Sequence, residues 1–231
     1  MSARLNSLGQ EIGCMLPTWN TCPEPAKKIM VGAYCRLEPL DATCHGEDLW
    51  QAYSADTQDR IWTYLPYGPF TTQAELKQWL TGHSETQDPL FYAIVSTSNG
   101  KAVGIATYLR IQPAAGVIEV GHINYSPALQ ATTAATEAMY LMMKNAFNLG
   151  YRRYEWKCDN LNSGSKKAAQ RLGFSFDGLF RQAAVYKGRN RDTAWFSVLD
   201  THWPAIQAEY ERWLATDNFS ADGMQLSKLS I

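Results

Sequence analysis

The chain has 231 residues, a formal net charge of −1 and 45% hydrophobic against 19% charged residues, an ordinary balance for a globular domain long enough to bury a core unaided. Near-neutral charge excludes a polyanion binder working through a general basic footprint, so no direct nucleic-acid binding is expected. No apolar run approaches the ~18 residues of a membrane span, and the N-terminus lacks a signal-like apolar stretch, which predicts a cytoplasmic protein with no membrane partner. The five cysteines and four histidines show neither C-x-x-C nor chelating spacing, so a reduced chain with no metal site is expected.

In chain order, residues 1–30 are dotted with Pro17, Pro23 and Pro25, which predicts an extended arm lying on the domain. The alternation from Val31 to Leu37 predicts a first strand, and a helix follows over about 41–56. Trp62-Thr63-Tyr64-Leu65-Pro66-Tyr67-Gly68-Pro69-Phe70 reads as an aromatic loop. Thr72 with Glu75 three residues on predicts a capped helix that buries Leu76, Trp79 and Leu80. Strands over 91–96, 103–111 and 117–125 form an antiparallel meander, with a turn at 98–101.

The period then changes. Ala135, Met139, Met142, Ala146 and Leu149 form a helical stripe over 133–149, closed by Gly150. A strand over 151–157, a short helix over 163–172, closing strands over 174–176 and 193–199, and a helix over 203–215 complete a domain spanning 31–216. Residues 217–231 read as a polar tail. The strand–helix–strand unit over 117–157 makes two neighbours parallel inside an otherwise antiparallel sheet, so the fold class is α+β.

One junction carries chemistry. A strand runs into Pro127, which cannot continue a ladder, and the small and hydroxylated loop Gln130-Ala131-Thr132-Thr133-Ala134-Ala135 then starts a helix. First-turn amides of a helix lack intrahelical acceptors, and the helix dipole favours an anion there. Ala131, Ala134 and Ala135 let a ligand approach the backbone, while Thr132, Thr133 and Thr136 offer hydroxyls. A threonine cap on a core helix would have the same sequence.

Several spaced motifs resemble the GNAT superfamily of N-acetyltransferases, most closely its RimJ/RimL-like branch. They are Glu119-Val120-Gly121-His122, the 130–135 loop leading into Thr136-Glu137-Ala138, Asn162-Ser163-Gly164-Ser165 and Leu172-Gly173-Phe174. Gly178, Arg181, Gly188 and Arg191-Asp192 follow in order, and the resemblance covers about 31–203. It implies a mixed, mostly antiparallel central sheet flanked by helices, with acetyl-CoA as co-substrate. The implied reaction is acetyl transfer to a primary amine by direct attack in a ternary complex. The acceptor is a small amine or a protein N-terminus, and a homodimer is compatible with the branch.

The resemblance also assigns roles. Gln130, Ala131, Thr132, Thr133, Ala134, Ala135 and Thr136 would hold the pyrophosphate, and Asn124, Tyr125 and Asn162 the pantetheine and thioester. Ser165 would protonate the leaving sulfur, Glu119 would act as base, and Trp62, Tyr64 and Tyr67 would wall the acceptor. Lys166, Lys167 and Arg171 would either meet phosphates or be solvated. Lys187, Arg189 and Arg191 form a charged hairpin tip or greet an acidic acceptor. Cys158 lies beside the expected cleft, but no histidine neighbours it in sequence, which disfavours an acyl-cysteine route.

Thr133 departs from the family, standing where its loop glycine permits close approach and positive φ. Two readings follow. The loop keeps an ordinary helical start and the hydroxyl replaces one backbone contact, or cofactor binding weakens and the chain is a catalytically silent acyl-CoA-binding module.

Overall fold

The computed structural model describes residues 4–231, and one eight-stranded sheet forms its centre. A separate two-stranded ribbon, β1 (Arg4–Leu5) and β2 (Glu11–Ile12), begins the chain. The sheet strands are β3 (Met30–Val31), β4 (Cys35–Pro39), β5 (Leu90–Ser96), β6 (Ala102–Gln112), β7 (Val117–Tyr125), β8 (Arg153–Asp159), β9 (Ser175–Tyr186) and β10 (Arg189–Leu199). They lie side by side in sequence order, except that β10 sits between β8 and β9. Every neighbouring pair is antiparallel save β7 and β8, which gives the mixed α+β sheet expected.

Both faces are covered. Helices α1 (Ala42–Ser54) and α2 (Gln73–Ser84) pack on one face, and α3 (Thr133–Asn148), α4 (Ser163–Arg171) and α5 (Trp203–Leu214) on the other. Strand β5 shows the consequence of its period of two: Leu90, Tyr92 and Ile94 enter one core, Phe91, Ala93 and Val95 the other, and all are buried. The helix starts follow their caps. Asp41 accepts from the amides of Thr43 and Cys44, and Thr72 and Glu75 form a reciprocal capping box. No helix among the described residues is long and apolar enough to cross a membrane.

Three expectations need correction. The strand over 31–37 is two strands, because Gly32 to Tyr34 turn around the carboxylate of Glu137. That buried carboxylate accepts from the amides of Ala33, Tyr34 and Cys35 at 2.7, 2.6 and 2.8 Å. A Cβ on Gly32 would lie 2.3 Å from it, so the turn requires glycine for space. The closing strand over 174–176 extends to Tyr186, pairing with β10 from Ser175↔Ser197 to Tyr186↔Arg189. Its apolar residues Phe176, Phe180 and Val185 are exposed, so no buried face announced it.

The polar tail is an ordered strap. A 3-10 turn over Thr216–Asn218 leads to a bridge between Phe219 and Gln225. Buried Asn218 holds it, donating to Trp213 C=O at 2.8 Å and accepting from the Ser227 amide at 2.9 Å. At the other end, the arm is fastened by Trp19, whose Nε1 donates to Ala114 C=O at 3.1 Å, and by Tyr92 donating to Ala26 C=O at 3.0 Å.

Candidate active site

Strands β7 and β8 pair only from Val117↔Arg153 to Val120↔Trp156. Beyond that point they diverge, and a cavity of about 1020 Å³ opens between them. One end is bounded by the start of α3, by α4 and by the strap; the other lies beneath the 60–66 segment. A bulge lies in β7, where Gly121 faces Thr107 but Asn124 faces Ile105, with His122 at φ 47°.

The ladder on the β6 side fixes where backbone groups point. Ser126 N–H donates to Val103 C=O at 3.1 Å, so Tyr125, one residue earlier, turns its N–H and C=O away from β6. Its carbonyl accepts from Gln130 Nε2 at 3.0 Å, which ties the loop to the strand edge. Asn124 is 1% exposed on the cavity wall, and its carboxamide N and O have no partner among the described residues. Each such buried group left unanswered costs about 1–3 kcal/mol.

At the start of α3 the positive φ expected of the loop falls on Ala131, at 59°, and not on Thr133, which is the first helical residue. The ordinary helical start is therefore the conformation found. Thr132 caps the helix by accepting from Ala135 N–H at 3.1 Å and donates to Leu129 C=O at 2.7 Å. The Thr136 hydroxyl accepts from Arg171 at 3.1 Å. Two of the three hydroxyls thus serve the protein itself, and the amides of Thr133 and Ala134 are the donors left without an intrahelical acceptor. The Ala134 side chain packs against the core and does not line the cavity, unlike those of Ala131, Thr133 and Ala135.

Asn162 caps α4 through Oδ1, which accepts from Ser165 N–H at 3.0 Å, leaving its Nδ2 to donate elsewhere. Ser165 Oγ accepts from Trp156 Nε1 at 2.9 Å. Beside it, burial pushes the Cys158 thiol up, which disfavours a nucleophilic thiolate.

Glu119 is buried, with Lys157 Nζ at 2.6 Å and Arg110 Nε at 3.2 Å. Burial raises its carboxyl above the ordinary range, opposed by Lys157 and Arg110. Burial likewise pulls Lys157 below its usual value, opposed by Glu119. Burial thus draws both groups toward neutrality, while each one's charge holds the other ionised. Lys157 Nζ also lies 3.5 Å from the centre of the Trp195 ring.

The aromatic wall divides. Tyr64 lines the cavity and donates to Leu161 C=O at 3.2 Å. Trp62 is buried, edge-on to Tyr53 and Phe70, and Tyr67 stacks on His122 with its hydroxyl 3.3 Å from Nδ1. Neither Trp62 nor Tyr67 lines the cavity; Tyr67 supports His122, which does, and Trp62 packs against Tyr67. His122 was missed as a cavity group because its bulge and left-handed backbone leave no trace in a strand pattern. Burial pulls its imidazole down to about 4, so it is neutral near pH 7.

Comparison with known proteins agrees with this geometry. The family profile described as Acetyltransferase (GNAT) domain matches residues 36–175. A GCN5-related N-acetyltransferase from Brucella melitensis is 48% identical over 93% of this chain and 97% of its own, with a TM-score of 0.91. A probable GNAT-family acetyltransferase from Chromobacterium violaceum ATCC 12472 is 41% identical over 84% of this chain and 96% of its own, with a TM-score of 0.78. The Salmonella typhimurium acetyl transferase that modifies the N-terminal serine of a 50S ribosomal protein is 19% identical over 74% of this chain and 99% of its own, with a TM-score of 0.63, a likeness of fold alone. A search of curated proteins returns no match. From the matched profile and these relatives, the chain belongs to the GNAT acetyltransferase family and is an acyltransferase.

Proposed function

We propose that the protein transfers acetyl from acetyl-CoA to a primary amine by direct attack within a ternary complex, as a member of the RimJ/RimL-like branch. The observation that carries this reading is the parting of β7 and β8 into a cavity that joins the start of α3 to Ser165. The cavity residues fit an acyl-CoA. The unpaired amides of Thr133 and Ala134, with Gln130, Ala131, Thr132, Ala135 and Thr136 around them, suit a pyrophosphate. Arg171, which bonds Thr136 and lies over the Trp213 ring, adds a positive charge beside them. The carboxamides of Asn124 and Asn162 suit the amide-bearing pantetheine arm.

For the reaction, the Tyr125 N–H turned from β6 polarises the thioester carbonyl as negative charge develops. Glu119, its proton affinity raised by burial, accepts the amine's proton through water. Ser165 donates to the leaving sulfur, a modest demand because a thiol has a pKa of about 8.5. Tyr64 and His122, the latter backed by Tyr67 and through it Trp62, wall the acceptor, which is a small amine or a protein N-terminus. The helical conformation of Thr133 removes one motive for the silent-module reading, the demand for positive φ, and leaves its side chain at the cavity as the other.

Calorimetric titration with acetyl-CoA and CoA, followed by thiol release across amines and N-terminal peptides, tests this. Micromolar cofactor binding with amine-dependent thiol release is expected. Binding without release for any amine would return the silent module, and no binding at millimolar cofactor would remove both.

A further inference from the structure

The β9–β10 hairpin carries three cations that the sequence leaves ambiguous, and the structure separates them. Lys187 Nζ donates to Trp62 C=O at 2.8 Å, and Arg189 to Thr63 C=O at 2.7 Å. These two clasp the hairpin tip to the 60–66 segment, part of which lines the cavity. Arg191, further down β10, instead lines the cavity.

Its environment is unbalanced. Arg191 is half-buried; its Nε donates to Thr193 Oγ1 at 3.0 Å and its guanidinium lies 5.8 Å from the Tyr186 ring centre. No carboxylate among the described residues pairs with it. The acidic groups that line the cavity are already answered. Glu119 has Lys157 and Arg110, and Asp159 accepts from Tyr186 Oη at 2.7 Å and Leu161 N–H at 2.8 Å. Arg60, exposed at the cavity lining, also has no ion pair among the described residues. Arg191 stands two residues before Thr193, which pairs with Asp159 at the end of β8, and it shares the cavity lining with His122, Cys158 and Ser165.

From this placement we infer that the acceptor carries a carboxylate a few bonds from its amine, held by Arg191 with help from Arg60. A guanidinium with its outer nitrogens unpaired in a half-dry cavity favours a bidentate carboxylate over a hydroxyl or amide. The same anchor sets the amine's orientation toward the thioester, so recognition and positioning coincide. The inference rests on the transferase reading and names its substrate class.

The test compares matched acceptors with the intact enzyme and acetyl-CoA. One pair is γ-aminobutyrate against its amide, and the other is a Ser-Asp-Ala peptide amide against Ser-Asn-Ala, which separates a free acid from an acidic N-terminus. In the wild type at least one pair shows a preference for the carboxylate of about tenfold in kcat/KM. Arg191→Gln brings that ratio close to one, mainly through KM, and Arg191→Lys keeps part of it. Rising salt shrinks the wild-type preference.

Equal use of charged and neutral acceptors by the wild type overturns the inference even if no variant folds. A preference that survives in Arg191→Gln does the same. No transfer to any amine removes the transferase reading and this inference with it, whereas transfer without preference removes this inference alone.

Discussion

Trp156 Nε1 donates to Ser165 Oγ across 2.9 Å, so one lone pair of that hydroxyl is occupied, and its single proton, within reach of the Cys158 sulfur, is the one it can give. Ser165→Ala is expected to lower kcat by about 10- to 100-fold while cofactor affinity stays within about twofold. Trp156→Phe, which keeps the ring but loses the donor, should show a smaller loss. Single-turnover thiol release measures both, and an unchanged rate in Ser165→Ala ends the acid role.

The start of α3 allows a charge test that leaves the helix sound. Thr133→Glu places a carboxylate in the first turn, where the dipole welcomes it, so the melting temperature should hold or rise. The same charge repels a pyrophosphate. CoA affinity should fall at least about tenfold, read by calorimetry. Undiminished binding would put the phosphate site elsewhere.

The Glu119–Lys157 pair invites a double-mutant cycle. Glu119→Gln leaves a buried ammonium with Glu155 at 3.4 Å and the Trp195 ring at 3.5 Å, and should cost about 1–3 kcal/mol in urea unfolding. Adding Lys157→Met should return most of that stability without returning activity. Full activity in the double variant would show that Glu119 is structural only.

His122 predicts a pH dependence. Its folded value is about 4 against 6.5 unfolded, so the fold favours neutral imidazole. Its contribution is complete above pH 6.5 and is lost as pH falls through about 4. The span corresponds to about 3 kcal/mol. His122→Asn, which tolerates the left-handed backbone, should remove this part of the acid destabilisation. Urea midpoints of the two proteins between pH 7 and 4 would converge; parallel curves would contradict the assignment.

The sequence is most legible where period and capping coincide. The four-three spacing from Ala135 onward and the Thr72–Glu75 box correspond to α3 and α2 within a residue or two. It is least legible where long-range polar bonds decide the path. Nothing local says that Glu137 will gather three amides more than a hundred residues earlier, nor that Asn218 will fold the tail back onto Trp213. At the site, spaced motifs single out Ser165 and Asn162. The bulge that turns His122 into the cavity, and the clasp that separates Arg191 from Lys187 and Arg189, exist only in three dimensions.

The strap has a consequence for synthesis. Phe219, Gly223, Met224 and Gln225 border the cavity, and they leave the ribosome after every other residue that does so. The sheet and α1 to α4 can assemble while the strap is still in the exit tunnel, since domains generally fold as units during synthesis. The cavity gains its last wall only once residue 225 has left the tunnel. A nascent chain stalled before that point would carry the chemical groups but not the finished enclosure, with Trp213 lacking the Gln225 oxygen its indole bonds at 3.0 Å.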